Sequence, residues 1–141
     1  MVLEDYAEKA VQIALQNGSE YCDVRAESVK TTGFVIENGE VENFISSGDS
    51  GLGIRVLVNG SWGFSSISSP KSFDEIKLNV TDAVKSARHY SNYKKQKVRL
   101  ANVKPSIDII NYKVIMEPTN EEMMRIGLES DKIIQSKKRI I

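Results

Sequence analysis

The sequence is poor in the side chains that hold catalytic metals. It contains a single cysteine, Cys22, and a single histidine, His89. One thiol excludes an internal disulfide and leaves too few thiols for a four-ligand structural zinc site. A hydrolytic metal site typically uses two histidines one helical turn apart with a glutamate beside them. We therefore expect no catalytic residue, no metal site and no cofactor in this chain.

Net charge and long apolar runs are also absent. Lys and Arg together number 19, as do Asp and Glu, so the summed charge favours neither a nucleic acid nor an anionic membrane as partner. No apolar run approaches the roughly 20 residues that cross a bilayer, and Glu4 and Asp5 stand where a signal peptide would be basic. With one cysteine, these features predict a soluble, cytoplasmic protein without a membrane partner.

The 141 residues suit one domain, which the pattern predicts to begin with a helix and continue as strands. Apolar residues recur at helical spacing from Leu3 to Asn17, and Gly18 follows as a stop. Period-two alternation then runs from Tyr21 to Ser28. Asn38-Gly39 lies between apolar runs at 34–36 and 41–45, which predicts a hairpin, and a slip of parity between Val41 and Phe44 predicts a bulge.

A turn is predicted at Ser46–Gly51 from its composition. Alternation resumes at Leu52–Val58, passes a second Asn-Gly at Asn59-Gly60 and continues over Ser61–Ile67. The sequence therefore predicts an α+β domain, with an antiparallel meander of about five strands and two to three helices packed on one face.

Two capping boxes open further helices. Ser72 with Glu75 begins a second helix that should run to about His89, and Thr119 with Glu122 begins a third with Met123, Ile126, Ile133 and Ile134 on its apolar face. Residues 94–118 are expected to be an irregular connector, and residues 119–141 to hold the third helix and the opening of a strand. The β-branched pair Ile140-Ile141 predicts that this strand continues in a longer protein.

Most candidate chemical residues have simpler structural interpretations. His89 lies at the C-terminus of a predicted helix, where a protonated imidazole complements the negative end of the helix dipole. This role is favoured over metal binding. Cys22 on an apolar strand face favours a buried, inert thiol over a nucleophile. The glycines at 48, 51 and 53 lead into a strand, which argues against a phosphate loop. Serines without a Gly-x-Ser-x-Gly elbow are read as turn and solvent-face residues: Ser46, Ser47, Ser65, Ser66, Ser68 and Ser69.

Arg55 interrupts an apolar strand, so it is expected to pair with a carboxylate on a neighbouring strand. Trp62 either covers the core, the favoured reading, or meets a partner. Glu42 and Asp49 are weaker candidates.

One stretch is strongly basic. From Ala83 to Ile107 there is no acidic residue, while Tyr90 and Tyr93 are interleaved with Lys85, Arg88, Lys94, Lys95, Lys97, Arg99 and Lys104. Such a stretch either binds phosphates with tyrosines stacked on bases, using Lys94, Lys95, Lys97 and Arg99, or is a solvated helix end and loop. The sequence favours the second reading, and a nucleic-acid partner is not expected.

Residues 21–64 resemble the N-terminal region of the TldD/PmbA family, which has been labelled both modulator of DNA gyrase and metallopeptidase. The similarity lies in the helix, glycine stop and strand of residues 14–25, in the hairpin of residues 37–42, and most specifically in residues 51–64. In the last stretch the matching residues are Gly51, Gly53, Arg55, Gly60, Trp62, Gly63 and Phe64, which we interpret as structural. Asp23-Val24-Arg25 and Trp62-Gly63-Phe64 are closer to the TldD branch.

The resemblance implies a zinc-dependent peptidase acting on extended or unfolded peptides in the full-length protein. The family's metal-binding His and Glu residues lie after this domain, and no residue here matches them. The implied partners are the remaining C-terminal domain, a second TldD/PmbA-type subunit in a homo- or heterodimer, and a peptide substrate. This chain would then contribute to assembly and substrate access.

Overall fold

The computed structural model describes residues 3–112 and 118–137, and within these ranges one helix is followed by three strands and then by two helices. They are α1 (Leu3–Gln16), β1 (Tyr21–Glu37), β2 (Glu40–Val58), β3 (Ser61–Ser68), α2 (Phe73–Ser91) and α3 (Asn120–Ser136). The three strands form one sheet in the order β1-β2-β3. The α+β class is therefore confirmed. The predicted strand opening at 140–141 lies outside the described residues.

The chain divides into two compact units. One contains Met1–Val29 with Gly48–Asn102, and the other contains Lys30–Ser47 with Val103–Ile141. Residues 97–112 of the predicted connector form neither helix nor strand.

The first two helices follow the sequence pattern. Gly18 ends α1 with a φ of 88°, the left-handed conformation that glycine adopts at little cost. At the start of α2 the Ser72 side chain accepts a hydrogen bond from the Glu75 backbone N–H. The Glu75 carboxylate accepts instead from the backbone N–H of Lys71, 2.9 Å away, so only half of the predicted box forms at Ser72.

The prediction of about five strands is wrong, because four of the predicted strands merge into two long ones. The expected turn at Ser46–Gly51 is extended backbone inside β2. Its polar composition reflects exposure, since every residue of β2 from Glu40 to Asp49 is exposed. Position 51 needs a glycine for a steric reason, because a Cβ there would lie 2.8 Å from the carbonyl oxygen of Ile67 on β3.

Both Asn-Gly hairpin turns are confirmed. Asn38 and Gly39 have φ of 53° and 84°, and Asn59 and Gly60 have 48° and 73°, so each pair occupies the positive-φ positions of a two-residue turn. A two-residue turn places Glu37 opposite Glu40. If the strands paired regularly from there, Phe34 and Phe44 would be one residue out of register, yet their rings lie 5.0 Å apart. That offset of one residue agrees with the bulge expected near residues 41–44.

The core lies between α1, α2 and one face of the sheet. Leu52, Ile54, Val56 and Val58 of β2 point to this face and are at most 2% exposed. They pack with Ala10 of α1 and with a buried stripe on α2 formed by Ile76, Val80, Ala83, Val84 and Ala87. The helix α2 approaches β3 so closely that a Cβ on Gly63 would collide with the Ala83 carbonyl oxygen.

The third helix has the predicted capping box but no buried face. Thr119 Oγ accepts from the Glu122 N–H, and the Glu122 carboxylate accepts from the Thr119 N–H. Its apolar residues Ile126, Ile133 and Ile134 are 54%, 63% and 55% exposed. Within its own unit, Gly127 of α3 contacts Ile36 of β1. No helix in the described ranges is long and apolar enough to cross a membrane.

Candidate functional site

The sheet face opposite the core carries a cluster of aromatic and charged side chains. Leu57 pairs with Trp62, and Arg55 pairs with Phe64. Arg55 and Leu57 alternate along β2 with the residues that face the core, so these two pairs lie on the other face of the sheet. Tyr21 and Asp23 of β1 complete this group. We call these five residues, Tyr21, Asp23, Arg55, Trp62 and Phe64, the arginine cluster.

Asp23 fixes the guanidinium of Arg55. Arg55 Nε and Nη2 both donate to Asp23 Oδ2, at 2.8 and 2.7 Å. The guanidinium carbon lies 4.9 Å from the centre of the Trp62 ring, a cation–π contact. Tyr21 meets the edge of Trp62 at 5.9 Å, and burial followed by a hydrogen bond with Asp23 raises the pKa of the Tyr21 hydroxyl.

The prediction that Arg55 pairs with a carboxylate on a neighbouring strand is confirmed. The favoured reading of Trp62, that it covers the core, is wrong. Trp62 is half-buried on the other face of the sheet, because its register opposite Leu57 turns its side chain away from Val56 and Val58. Phe64 beside it is 67% exposed.

β3 is an edge strand of the sheet in the described residues. In a hairpin with a two-residue turn, Val58 and Ser61 bond to each other, and the bonded pairs recur at every second residue. The Glu20 N–H donates to the Leu57 carbonyl at 2.8 Å, so the backbone carbonyl of Leu57 points toward the β1 side and away from β3. This agrees with the alternation of bonded pairs. The backbone groups of Trp62, Phe64 and Ser66 therefore point away from β2 along the open edge.

A shallow, open cleft of about 370 Å³ lies at the turn end of β3. Its lining residues are Ser61, Trp62, Tyr90, Tyr93 and Lys94, and none is a carboxylate. Tyr90 and Tyr93 are 63% and 75% exposed. The His89 ring lies 5.8 and 5.3 Å from theirs, so the end of α2 presents three neighbouring aromatic rings.

The Asn59-Gly60 turn anchors the basic segment beside this cleft. The Val98 N–H donates to the Gly60 carbonyl at 2.9 Å, and Lys94 Nζ donates to the same oxygen at 3.4 Å. A Cβ on Gly60 would lie 2.5 Å from Lys97 Cβ, so the glycine is needed for this approach as well as for the turn. The irregular segment is thereby held against β3.

The basic residues of this stretch divide into two groups. Lys85 faces Asp82 at 3.8 Å, and Arg88 donates to the Asn17 carbonyl at 2.7 Å, where it closes the end of α1. Lys95, Lys97 and Arg99 are exposed and form no ion pair within residues 3–112 and 118–137.

The other sequence candidates lie apart from this cleft. Cys22 is half-buried against the core, and burial, followed by the Asp23 charge, raises the pKa of its thiol to about 12. His89 lies in the last turn of α2, as predicted. Glu42 and Asp49 are exposed on β2. Ser65 Oγ donates to Asn79 Oδ1 on α2 at 2.9 Å.

The described residues do not fit a zinc ion. Across 3–112 and 118–137, no three His, Cys, Asp or Glu side chains converge in a way that could hold a metal. No chemical step can be assigned to a metal on these residues.

The model of a known family covers the part of the chain that builds the sheet and α2. Residues 22–90 match the family described as PmbA/TldA metallopeptidase domain 1. Residues 22–90 therefore belong to the TldD/PmbA family. The matched range includes the arginine cluster except Tyr21, and it ends at Tyr90 in the cleft.

Two relatives of the chain are named as metalloproteases. A metalloprotease of Methanothermobacter thermautotrophicus is 32% identical over 79 residues, which cover 56% of this chain and 17% of the relative. A metalloprotease of Methanocaldococcus jannaschii is 29% identical over 124 residues, which cover 84% of this chain and 27% of the relative. The chain therefore spans less than a third of the curated relatives it matches.

The fold also has a solved counterpart. A Thermotoga maritima protein, named as a modulator of a DNA gyrase, superposes with a TM-score of 0.58 over 99% of this chain and 31% of that chain. Its identity of 14% makes this a likeness of fold alone.

Sequence reasoning missed two sets of neighbours. Asp23 was not singled out as the carboxylate that pairs with Arg55, although its alternation with the core-packed Val24 places it on the opposite face of the sheet. Trp62 was not connected with the basic segment, which the structure places beside it around the cleft. No local signal links those stretches, because their contact depends on the Gly60 turn receiving Val98.

Proposed function

We propose that this chain is a noncatalytic first domain of a TldD/PmbA-type metallopeptidase, where it contributes to assembly and to the admission of extended peptide. The observation that carries the proposal is the open edge of β3, whose Trp62, Phe64 and Ser66 backbone groups have no strand partner in the described residues. An extended peptide or a strand of another subunit adds to such an edge by main-chain hydrogen bonds.

The side chains along this edge support the same role. Trp62 and Phe64 project from one face, where they offer apolar contact area to alternate residues of an added strand. Asp23 holds Arg55 over the Trp62 ring, which keeps that surface ordered. The edge therefore combines exposed backbone with a preformed aromatic surface.

The rest of the longer protein is the second proposed partner. In the unit that contains α3, large apolar side chains are exposed: Val35, Phe44, Ile45, Ile107, Ile109, Ile110, Tyr112, Ile126, Ile133 and Ile134. Exposed apolar surface on this scale is typical of a protein interface. We assign it to the remaining C-terminal domain or to a paired TldD/PmbA-type subunit. Zinc, a peptidase activity and a cytoplasmic location belong in this proposal to the full-length protein.

Hydrogen exchange tests the edge proposal within one strand. The probe is an extended peptide of alternating Thr and Val, which favours strands. On its addition, the amide protons of Trp62, Phe64 and Ser66 should exchange more slowly. Those of Gly63 and Ser65 face β2 and serve as the internal control, because the sheet already protects them. Unchanged exchange at the three edge amides would remove the support for strand addition.

A proline substitution adds a binding measurement. Ser66→Pro removes an outward N–H at an edge position that tolerates proline, whereas Ser66→Ala keeps it. The proline variant should bind the peptide about two- to tenfold more weakly, the effect of one lost hydrogen bond, and the alanine variant should bind as the parent does. Equal weakening by both variants would locate the effect in the side chain and contradict the proposal.

A further inference from the structure

We infer that the cleft formed by Ser61, Trp62, Tyr90, Tyr93 and Lys94 binds single-stranded nucleic acid, with bases stacked on the tyrosines and phosphates held by the basic segment. This goes beyond the proposed function and reverses the expectation from the sequence. The reversal rests on placement. The sequence already interleaves the tyrosines with basic residues, and the structure adds that Gly60 anchors this segment beside Trp62.

The aromatic part of the site is exposed and structured. Tyr90 belongs to the last turn of α2, and the Tyr93 N–H donates to the Tyr90 carbonyl at 3.1 Å, which continues the helical path. Both rings are more than half exposed. Exposed aromatic rings on a fixed backbone are the stacking surfaces of sequence-tolerant single-strand binding, since every base has a π-face.

The cationic part of the site lies beside the tyrosines because the Asn59-Gly60 turn holds the basic segment there. Gly60 receives Lys94 and Val98 on one carbonyl oxygen and packs against Lys97. Lys95, Lys97 and Arg99 therefore start from a backbone anchored at the cleft, and they have no carboxylate partner in the described part of the chain. When unpaired cations of a protein neutralise phosphates, the nucleic acid releases its condensed counterions, which favours binding at low salt.

A single strand fits this surface better than a duplex or an acidic peptide. The major groove of a duplex admits a protruding helix or two-stranded ribbon, whereas this site is a shallow, open cleft. An acidic peptide would use the lysines but gain little from two exposed tyrosine faces. A flexible single strand uses both, because its bases are free to unstack onto the rings.

The test is a fluorescence anisotropy titration of the complete 141-residue chain with labelled oligothymidylate at low and moderate salt. The same strand as a duplex, and free thymidine monophosphate, are the comparison ligands. Oligothymidylate should bind most tightly, and its affinity should fall with salt by a log–log slope of about −0.7 for each phosphate contacted. Tighter binding of the duplex, or no binding at low salt, would overturn the inference.

Paired variants separate stacking from general attraction of anions. Tyr93→Ala should weaken oligothymidylate binding about fivefold or more, whereas Tyr112→Ala, at a tyrosine that is 90% exposed elsewhere, should not. Lys95→Gln should weaken binding and lower the salt slope by about 0.7, whereas Lys85→Gln makes the same charge change at a lysine facing Asp82 and should have little effect.

Circular dichroism checks that each variant is folded. We expect each to fold, because the substituted side chains are exposed. Salt-sensitive binding that Tyr93→Ala leaves unchanged, or equal loss in Lys85→Gln and Lys95→Gln, would reduce the site to nonspecific charge and contradict the inference.

Discussion

Asp23 on β1 holds Arg55 on β2 through two hydrogen bonds to a single carboxylate oxygen, 2.8 and 2.7 Å long, and thereby sets the guanidinium over the Trp62 ring. The pair crosses two neighbouring strands on the face away from the core. It fixes the side-chain arrangement next to the open edge of β3.

This pair should contribute more to order than to stability. The two side chains are 47% and 39% exposed, so solvent screens their attraction. A double-mutant cycle with Asp23→Asn and Arg55→Gln should give a coupling energy below about 1 kcal/mol in urea denaturation. Trp62 fluorescence should still change in each single variant, because Arg55→Gln removes the cation from the ring and Asp23→Asn removes the carboxylate that holds the cation there. A coupling of several kcal/mol would contradict this assessment.

Gly63 should be intolerant of any side chain. A Cβ there would collide with the Ala83 carbonyl oxygen and lie 2.9 Å from Ala87 Cβ, so α2 would have to move off β3. Gly63→Ala should lower the free energy of unfolding by about 1 to 3 kcal/mol or more. Gly53→Ala is the matched control, since a Cβ at Gly53 meets nothing within 4 Å. Similar denaturation midpoints for the two variants would be inconsistent with the packing of α2.

The fold was predictable where the signal is local. The ends of α1 and α2 follow from Gly18 and Ser72, and both Asn-Gly turns follow from residues that accept positive φ. The strand count was not predictable, because a polar, glycine-containing stretch such as 46–51 has the same composition in a turn and in an exposed strand.

The candidate site was predictable only in part. The pairing of Arg55 followed from a charge inside an apolar strand, and the basic segment was visible as a run. The cleft depends on long-range contacts between Gly60 and residues 94–98, which sequence periodicity does not encode.

Cys22 should react slowly in the folded chain. Burial raises its pKa from 9.0 to about 12, so at pH 8 its thiolate fraction is roughly a thousandfold smaller than in the unfolded chain. Alkylation by iodoacetamide should be correspondingly slow in buffer and fast in urea. Rapid alkylation in buffer would show that the thiol is more accessible than its packing indicates.

The same pKa shift sets a pH dependence. The neutral thiol is favoured by folding, so this contribution to stability is complete below the unfolded pKa near 9 and is lost as pH rises toward about 12. Cys22→Ala should show a flatter decline of unfolding free energy over that window. An unchanged decline in the variant would assign the pH dependence to other groups.

Thr119 should stabilise α3 locally. Its side chain and that of Glu122 satisfy two backbone N–H groups at the helix start, and α3 has no buried residue to compensate for their loss. Thr119→Ala should cost about 1 kcal/mol, measured as faster exchange of amide protons in α3. Amide protons in α2 are the control, and their exchange should stay as it is. Loss of protection in both helices would show a wider role for the cap.

The central claim is that this chain acts through its surfaces and that the peptidase chemistry belongs to the rest of the protein. The most direct measurement combines zinc analysis of the purified 141-residue chain after dialysis with mass spectrometry of an extended peptide incubated with it in added zinc. The account predicts substoichiometric zinc and an intact peptide. One tightly held zinc per chain together with peptide cleavage, abolished by His89→Ala, would contradict it.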